Sequence, residues 1–383
     1  MNRPIYLDYA ATTPIDEAVL EKMLPFMSRE GQFGNSGSSS HVYGWEAQEA
    51  VEEARSVVAE LINADPSEIF WTSGATEADN LALKGICSDS QTKKHLITSS
   101  LEHKAILDCC RYLERQGHQI DYVQPNKHGT LTSAEIANVI KEGLSSVVSV
   151  MHVNNELGNI NPIGDIGSLC REKGVLFHTD AAQSFGKLRI DVKEQCLDMI
   201  SVSGHKIYGP KGVGFIFISK AAQKHIMPQL HGGGQEMSMR PGTLATHQIV
   251  GLSEAAKLMS SSQSVELQRL QALKRVFLDN ISKLPGFFQN SHSADHFPGI
   301  FNFGFSGVDG ETLLLAASRI AVSTGSACNS EKIEASHVLR GLGLTEDHAA
   351  SSIRVSFGRY TTAEDVRKAS EEICTVINRL IAK

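Results

Sequence analysis

Short apolar runs alternate along this chain with stretches in which apolar residues return every three or four positions. Ala47, Ala50, Val51, Ala54, Val57, Val58 and Leu61 give Glu46–Leu61 one apolar helical face. The β-prone run Ile69–Thr72 follows, then a helical stretch from Ala75 to Leu83, a strand over His95–Thr98, and a helix from His103 to Arg115 that Gly117 ends. The same reading predicts strands at Ile120–Val123, Val147–Val153, Val175–His178, Met199–Val202 and Gly214–Ile218, with helices at Ser133–Ile140 and Ile163–Lys173. Strands alternating with helices of about 10–15 residues predict βαβ units and a mostly parallel sheet. Beyond about Gly251 the alternation weakens. A long helix is predicted from Ser264 to Leu284, stopped by Pro285-Gly286, then strands at Gly299–Phe305 and Ile353–Ser356 and helices at Glu311–Ser318 and Thr362–Ile381. That is the pattern of a second, α+β unit, and Ser260-Ser-Ser-Gln-Ser264 is the expected linker.

Composition narrows the classes. The 383 residues carry 36 Lys+Arg against 43 Asp+Glu, a formal charge of −7, with 41% apolar and 21% charged residues. Such a mix excludes a disordered chain, and a mildly acidic one has no electrostatic footprint for nucleic acid, so no direct nucleic-acid partner is expected. No window approaches ~18 uninterrupted apolar residues, so no membrane partner is expected. Met1–Pro14 lacks the apolar core of a signal peptide. The seven cysteines, at 87, 109, 110, 170, 196, 328 and 374, form no CxxC and no zinc-type spacing with His. No metal site is expected, and mostly free thiols in a reducing, cytoplasmic compartment are.

In open α/β sheets ligands sit at the carboxyl ends of strands, and four strand ends here carry chemistry. Thr72-Ser-Gly-Ala-Thr-Glu77 is a small-residue turn into a helix, whose N–H groups and Thr76 hydroxyl suit a phosphate or merely form a helix cap. Phe177-His-Thr-Asp-Ala-Ala-Gln183 ends a buried strand on Asp180, a costly place for a carboxylate unless it meets a cation or caps a turn. Val202-Ser-Gly-His-Lys-Ile-Tyr-Gly-Pro210 sets Lys206 just past an apolar strand, where it is either pKa-labile and fit for Schiff-base work or a turn lysine with a snorkelling stem. Val150-Met-His-Val-Asn-Asn-Glu-Leu-Gly158 offers amides that read a ligand or form an Asx turn. His103, after Ser100-Leu-Glu, could stack, shuttle protons or be structural. Each ordinary explanation holds alone. Together, a helix-start anion site, an Asp and a Lys 26 residues later form a pyridoxal phosphate constellation: an amine for the aldehyde, a carboxylate for the pyridinium nitrogen, N–H groups and hydroxyls for the phosphate.

Cys328 lies in Ser323-Thr-Gly-Ser-Ala-Cys-Asn-Ser330, whose small polar residues predict an exposed, mobile loop. Free Cys is usually a small buried apolar residue, and the polar surroundings argue against that here. The other six cysteines, in predicted helices or helix ends, are expected to be structural.

These segments give the chain a close resemblance to the NifS/IscS-type cysteine desulfurases of the class V aminotransferase family. The resemblance spans nearly the whole chain. It rests on Tyr6-Leu-Asp-Tyr-Ala-Ala-Thr-Thr-Pro14, Thr72-Ser-Gly-Ala-Thr-Glu-Ala-Asp-Asn80, His178-Thr-Asp-Ala-Ala-Gln183, Ser203-Gly-His-Lys-Ile-Tyr-Gly-Pro-Lys-Gly212, His231-Gly-Gly-Gly-Gln-Glu236, Met239-Arg-Pro-Gly-Thr243 and the Cys328 loop. It implies the PLP-dependent transferase fold type I: a large domain, 16–259, with a mostly parallel seven-stranded sheet, and a smaller α+β domain, 1–15 with 260–383, carrying the Cys328 loop. It implies pyridoxal 5′-phosphate on Lys206, with Asp180 at the ring nitrogen, Gln183 at the phenolic oxygen and His103 stacked on the ring. Ala75 (backbone), Thr76, Ser203 and His205 would hold the phosphate, with Thr243 reaching in from the second subunit of a homodimer. Asn155 would lie by the ring and substrate, and Arg354 and Asn35 would hold the substrate carboxylate. The implied reaction turns L-cysteine into L-alanine and leaves the sulfur as a persulfide on Cys328. An acceptor protein, scaffold or relay, would then take it for iron–sulfur cluster, thio-cofactor or thionucleoside synthesis.

Two segments depart from the family pattern. Asn35-Ser-Gly-Ser-Ser-Ser-His41 lacks the Asn-Pro that often opens the substrate loop, and Met237-Ser238 stands where Arg-Gly is usual. The alternatives are a selenocysteine lyase or generic C–S lyase on the same cofactor, a class V aminotransferase, which needs no loop Cys, and a non-catalytic binding module, which would not need Lys206, Asp180 and Cys328 together.

Overall fold

The computed structural model describes residues 3–88, 92–291, 295–324 and 336–382. Its large sheet has seven strands in the spatial order Ile69–Thr72, Gly214–Ile218, Met199–Ser203, Leu176–Asp180, Ser145–Ser149, His95–Ser99 and Gln119–Val123. Only Gly214–Ile218 runs against its neighbours; the other pairings are parallel. Both faces are covered, so Gly214–Ile218 reads as a continuous apolar run, and the polar residues of the other inner strands, such as Ser201, His178 and Thr98, are buried as well. Ile200, Val202, Phe215 and Phe217 face one core with Val51 and Val58 of helix Val42–Leu61. Met199, Ile216 and Ile218 face the other with Leu81 of helix Ala75–Ser88 and Ile106 of helix Lys104–Arg115.

A second core surrounds a three-stranded antiparallel sheet, Ser352–Ser356, Ile300–Phe305 and Phe287–Gln289, where Phe277, Phe301, Phe303 and Phe357 pack against helix Ala363–Ile381. The amino-terminal segment belongs to this core. Ile5–Tyr6 pairs in parallel with Ile320–Ala321, and Leu7 and Ala10 are buried in it.

The expected linker is not a linker in structure. Ser260–Ser264 lies inside one helix, Thr246–Ile281, which begins well before the predicted start at Ser264. Leu252, Ala255 and Met259 anchor it on the large sheet, and Leu270, Phe277 and Ile281 anchor it in the second core. Packing at both ends overrides the weak propensity of the serines between. Ser261 and Ser262 satisfy their hydroxyls on the Leu258 carbonyl at 3.1 and 2.9 Å. The strand predicted to reach Val153 stops at Ser149. The sequence reading also passed over helix Glu17–Met23 and the short helices His337–Gly341 and Glu346–Ala350.

Met237 and Ser238, with Glu236, take positive φ values of 53, 65 and 51°. The departure noted in the sequence therefore puts two side chains where glycine is most at ease. The turn is pinned by Glu236, whose carboxylate accepts from Arg55 at 2.7 and 2.9 Å and from the Trp71 amide at 2.8 Å, all buried.

Candidate active site

Strand ends, a helix start and the amino-terminal segment converge on one cavity of ≈620 Å³. Lys206 stands on a single turn, Gly204–Lys206, directly after strand Met199–Ser203. The segment Ala10–Thr13 straps that turn. Thr13 donates to the His205 carbonyl through its amide at 3.0 Å and its hydroxyl at 2.9 Å, the His205 Nδ1 meets the Thr12 hydroxyl at 3.0 Å, and Lys206 Nζ donates to the Ala10 and Ala11 carbonyls at 2.7 Å each. This gives the Tyr6–Pro14 motif a physical task, holding the lysine turn in place. Burial, and then the charge of Lys206, pull His205 down to about 4, so its ring is neutral near neutral pH.

Asp180 ends strand Leu176–Asp180 and faces the same cavity, with Oδ1 accepting the Ala182 amide at 2.8 Å. Burial raises its carboxyl, and the charges of His103 and Lys206 oppose that rise. Two further acids lie near it in the interior. Burial raises both Asp79 and Glu102 well above an ordinary carboxyl, and the charge of Asp180 adds to it. His103 caps helix Lys104–Arg115, its Nδ1 accepting the Ala105 amide at 3.1 Å, which leaves the ring proton of the neutral form on Nε2.

Ser73 to Glu77 form the helix start in the cavity wall. Gly74 has φ +148°, and a Cβ there would meet the Ser203 hydroxyl at 3.6 Å. The left-handed backbone thus brings the helix start against the end of the lysine strand, and the first-turn N–H groups have no partners within the helix. Glu77 turns away from them, taking the Ser73 amide at 2.8 Å and Arg240 at 2.7 Å.

On the opposite side of the chemistry, Arg354 is buried. Its Nη2 donates to Asp8 at 2.7 Å and its Nη1 to the Asn155 carbonyl at 3.0 Å, while its Nε has no partner among the described residues. An unfilled guanidinium donor in a cavity wall is suited to a carboxylate.

The cavity therefore brings together Lys206, Asp180, Gln183, His103, Asn155, Ser203, His205, Ala75, Thr76 and Arg354. Asn35 and Thr243 are exposed and lie outside this wall, Asn35 accepting the Gly37 amide at 2.9 Å. Cys328 falls outside the described residues. Of the other cysteines, Cys87, Cys109, Cys110 and Cys170 are buried, but Cys196 sits on a positive-φ turn rather than in a helix. The sequence reading missed Ser336, His337 and Arg340 in the wall, because nothing in their local pattern marks them, and in Val150–Gly158 it weighed the amides and passed over Glu156. Burial pushes Glu156 up to about 7, and it accepts from the Ser336 hydroxyl.

The donor set fits pyridoxal phosphate. An amine, a buried carboxylate and a helix start with hydroxyls beside it share one space, and Arg354 in the same wall supplies a guanidinium suited to a substrate acid. Among the described residues no group of His, Cys, Asp and Glu could hold a metal ion, and no helix is long and apolar enough to cross a membrane.

Residues 5–368 match the family model described as Aminotransferase class-V. The chain is 50% identical over 381 residues to "Cysteine desulfurase IscS" of Pseudomonas entomophila (strain L48), covering 99% of this chain and 94% of that one. It is 48% identical to the protein of that name from Azotobacter vinelandii, with the same coverage. Among solved structures, "NIFS-LIKE PROTEIN" superposes with a TM-score of 0.90 at 32% identity over 98% of this chain and 100% of the other. "SspA in complex with cysteine" does so with 0.83 at 38% identity over 93% and 99%.

Proposed function

The chain belongs to the aminotransferase class-V family, in its NifS/IscS-type cysteine desulfurase group, and from that premise we propose how its residues divide the work. The protein is a pyridoxal phosphate-dependent cysteine desulfurase, converting L-cysteine to L-alanine and passing on the sulfur. The observation that carries the assignment of roles is the convergence of Lys206, Asp180, the Ser73–Glu77 helix start and Arg354 on one cavity.

Bound there, the cofactor supplies an aldehyde for an amine and a ring that withdraws electrons from the substrate carbon. Lys206 would hold the aldehyde end, Asp180 would keep the ring nitrogen protonated, Gln183 would meet the phenolic oxygen and His103 would lie at the ring. The Ala75 amide, Thr76, Ser203 and His205 take the phosphate, and Asn155 lies by ring and substrate. Arg354 and Asn35 hold the substrate carboxylate. Lys206, with its amine free, would take the proton from the substrate Cα. Cys328, as thiolate, attacks the substrate sulfur. The S–S bond forms as the C–S bond breaks, the C–S electron pair stays with the carbon, a proton joins it there, the proton held by Lys206 returns to Cα, and alanine leaves. In this reading residues 16–259 form the cofactor-holding unit, and residues 1–15 with 260–383 the unit that carries Cys328. The sulfur goes to an acceptor protein in the cytoplasm, a scaffold or relay for iron–sulfur cluster or thio-compound synthesis. The test of the function is alanine release from L-cysteine by the holoenzyme, with mass spectrometry for a persulfide at Cys328. Selenocysteine turnover in its absence would favour a lyase.

Asp180→Ala is expected to fold and to lower kcat for alanine release about 10²-fold or more at saturating cofactor, the scale of losing a key electrostatic group. An unchanged kcat would reduce Asp180 to the turn cap it makes on Ala182.

The enzyme is also expected to be a homodimer, with Thr243 serving the partner subunit's phosphate site. Exposed Leu24, Met27, Phe33, Tyr43 and Trp45 on its amino-terminal elements support this, since obligate interfaces are apolar. Light scattering checks it; a monomeric mass with full cofactor occupancy would contradict it.

A further inference from the structure

A second lysine, Lys187, approaches the site from behind. Its Nζ donates to Gln183 Oε1 at 3.1 Å, Gln183 Nε2 donates to the Ala10 carbonyl at 2.8 Å, and that carbonyl also accepts from Lys206 Nζ at 2.7 Å. One amide and one carbonyl thus connect the two lysines. The two also line a single small cavity of ≈30 Å³, room for about one water, together with Tyr9, Ala10, Tyr208 and Glu266. Lys187 has no carboxylate partner there. Its Nζ lies 5.6 Å from the Phe297 ring centroid.

We propose that Lys187 is a positioning residue for Lys206: it clamps the Gln183 carboxamide and sets a second positive charge near Lys206, which favours the neutral amine. The proposal rests on Lys206 as the cofactor-bearing amine and base. A base must be unprotonated to accept the Cα proton, and a neighbouring cation is one way to make a lysine so. The acids around the pair are Glu266 and Asp180. Glu266, from helix Thr246–Ile281, gives its carboxylate to Arg269 at 2.7 and 2.8 Å. Burial raises the phenols of Tyr9 and Tyr208, which stay neutral, and His205 is neutral as well. Lys211, in the wall beside Lys206, adds further positive charge, and Asp180 is the acid whose charge couples to Lys206. Lys187 itself is pulled down to about 7 by burial and then by the charge of Lys206, so it carries its charge at and below about neutral pH.

The experiment is a pH titration of the chromophore of the holoenzyme, without substrate, which reads the proton held at Lys206 Nζ. Lys187→Met is expected to raise its midpoint by roughly one pH unit, the lower end of what a close charge does. Lys187→Arg, which holds its charge at every pH, is expected to leave it at or below the wild-type value. An unchanged midpoint in Lys187→Met would overturn the proposal, because a lysine that merely packs on Phe297 would alter stability or cofactor affinity and not this proton. If Lys187→Met does not hold the cofactor, competitive labelling of the wild-type holoenzyme with acetic anhydride decides. A Lys187 amine that titrates lower there than in Lys206→Ala supports the coupling, and one that titrates alike in both proteins, as burial alone would make it, defeats it. A wild-type protein with no chromophore on Lys206 would instead defeat the function proposed above.

Discussion

Lys206→Ala is expected to abolish alanine release from L-cysteine and the yellow colour of the holoenzyme together. The loss should exceed about 10³-fold, since general-base action alone is worth roughly 10²–10⁴ and this residue also carries the covalent attachment. The fold should survive. The substitution leaves the Ala10 and Ala11 carbonyls without their shared donor, a cost of about 1–3 kcal/mol if no water replaces it. Thr13 still ties the strap to His205 through two hydrogen bonds and donates none of them to Lys206. Circular dichroism and a melting curve check that. Lys206→Arg is the sharper companion, because it keeps a cation on the same turn that does not give up its proton. It should be as inactive as the alanine variant. Alanine release at the wild-type rate in either protein would remove Lys206 from the chemistry.

How much of this was legible in the sequence differs by element. Strands Met199–Ser203 and Gly214–Ile218 were, because burial on both faces writes itself as an apolar run. So was the density of chemistry at strand ends, because Asp180 and Lys206 follow such runs immediately. The serine-rich stretch at 260–264 misled. Its residues lie mostly toward solvent, so no apolar pattern marks the helix, and the packing that enforces helix there lies on either side.

The second layer of the site was not legible, for a different reason. Lys187 follows Gly186 on an ordinary turn after Gln183, and only the fold reveals that it reaches back to the Gln183 amide. Glu156, Ser336 and His337 come from segments far apart in the chain, and a local pattern carries no trace of a meeting that the second core arranges. Arg354 is intermediate. Its strand was predicted, but its pairing with Asp8 and the carbonyl of Asn155, which fixes the guanidinium in the cavity wall, depends on the amino-terminal segment joining the second core.

Cys328→Ser is expected to keep the fold, the cofactor and the binding of cysteine, and to lose sulfur transfer. A hydroxyl is similar in size, but near neutral pH it is scarcely ionised and lacks the nucleophilicity of a thiolate. Both shoulders of its segment are at the site. Ser323 exchanges backbone hydrogen bonds with Arg354 at 3.2 and 2.6 Å, and Ser336 lines the cavity and caps helix His337–Gly341. The other thiols are poor substitutes. Burial pushes Cys87, Cys109 and Cys170 up to about 12 and Cys110 higher still, so they are not thiolates at neutral pH. The measurement is alanine release with a reductant present, and mass spectrometry of every cysteine peptide after one turnover. The wild type should carry the extra sulfur at Cys328, and the variant, still yellow and still changing its spectrum when cysteine is added, should carry none. Wild-type alanine release from the serine variant, or a persulfide on Cys196 or Cys374 in the wild type, would transfer the role away from Cys328. A colourless variant would be read against its melting curve: if it is folded, Cys328 supports the cofactor site rather than the sulfur.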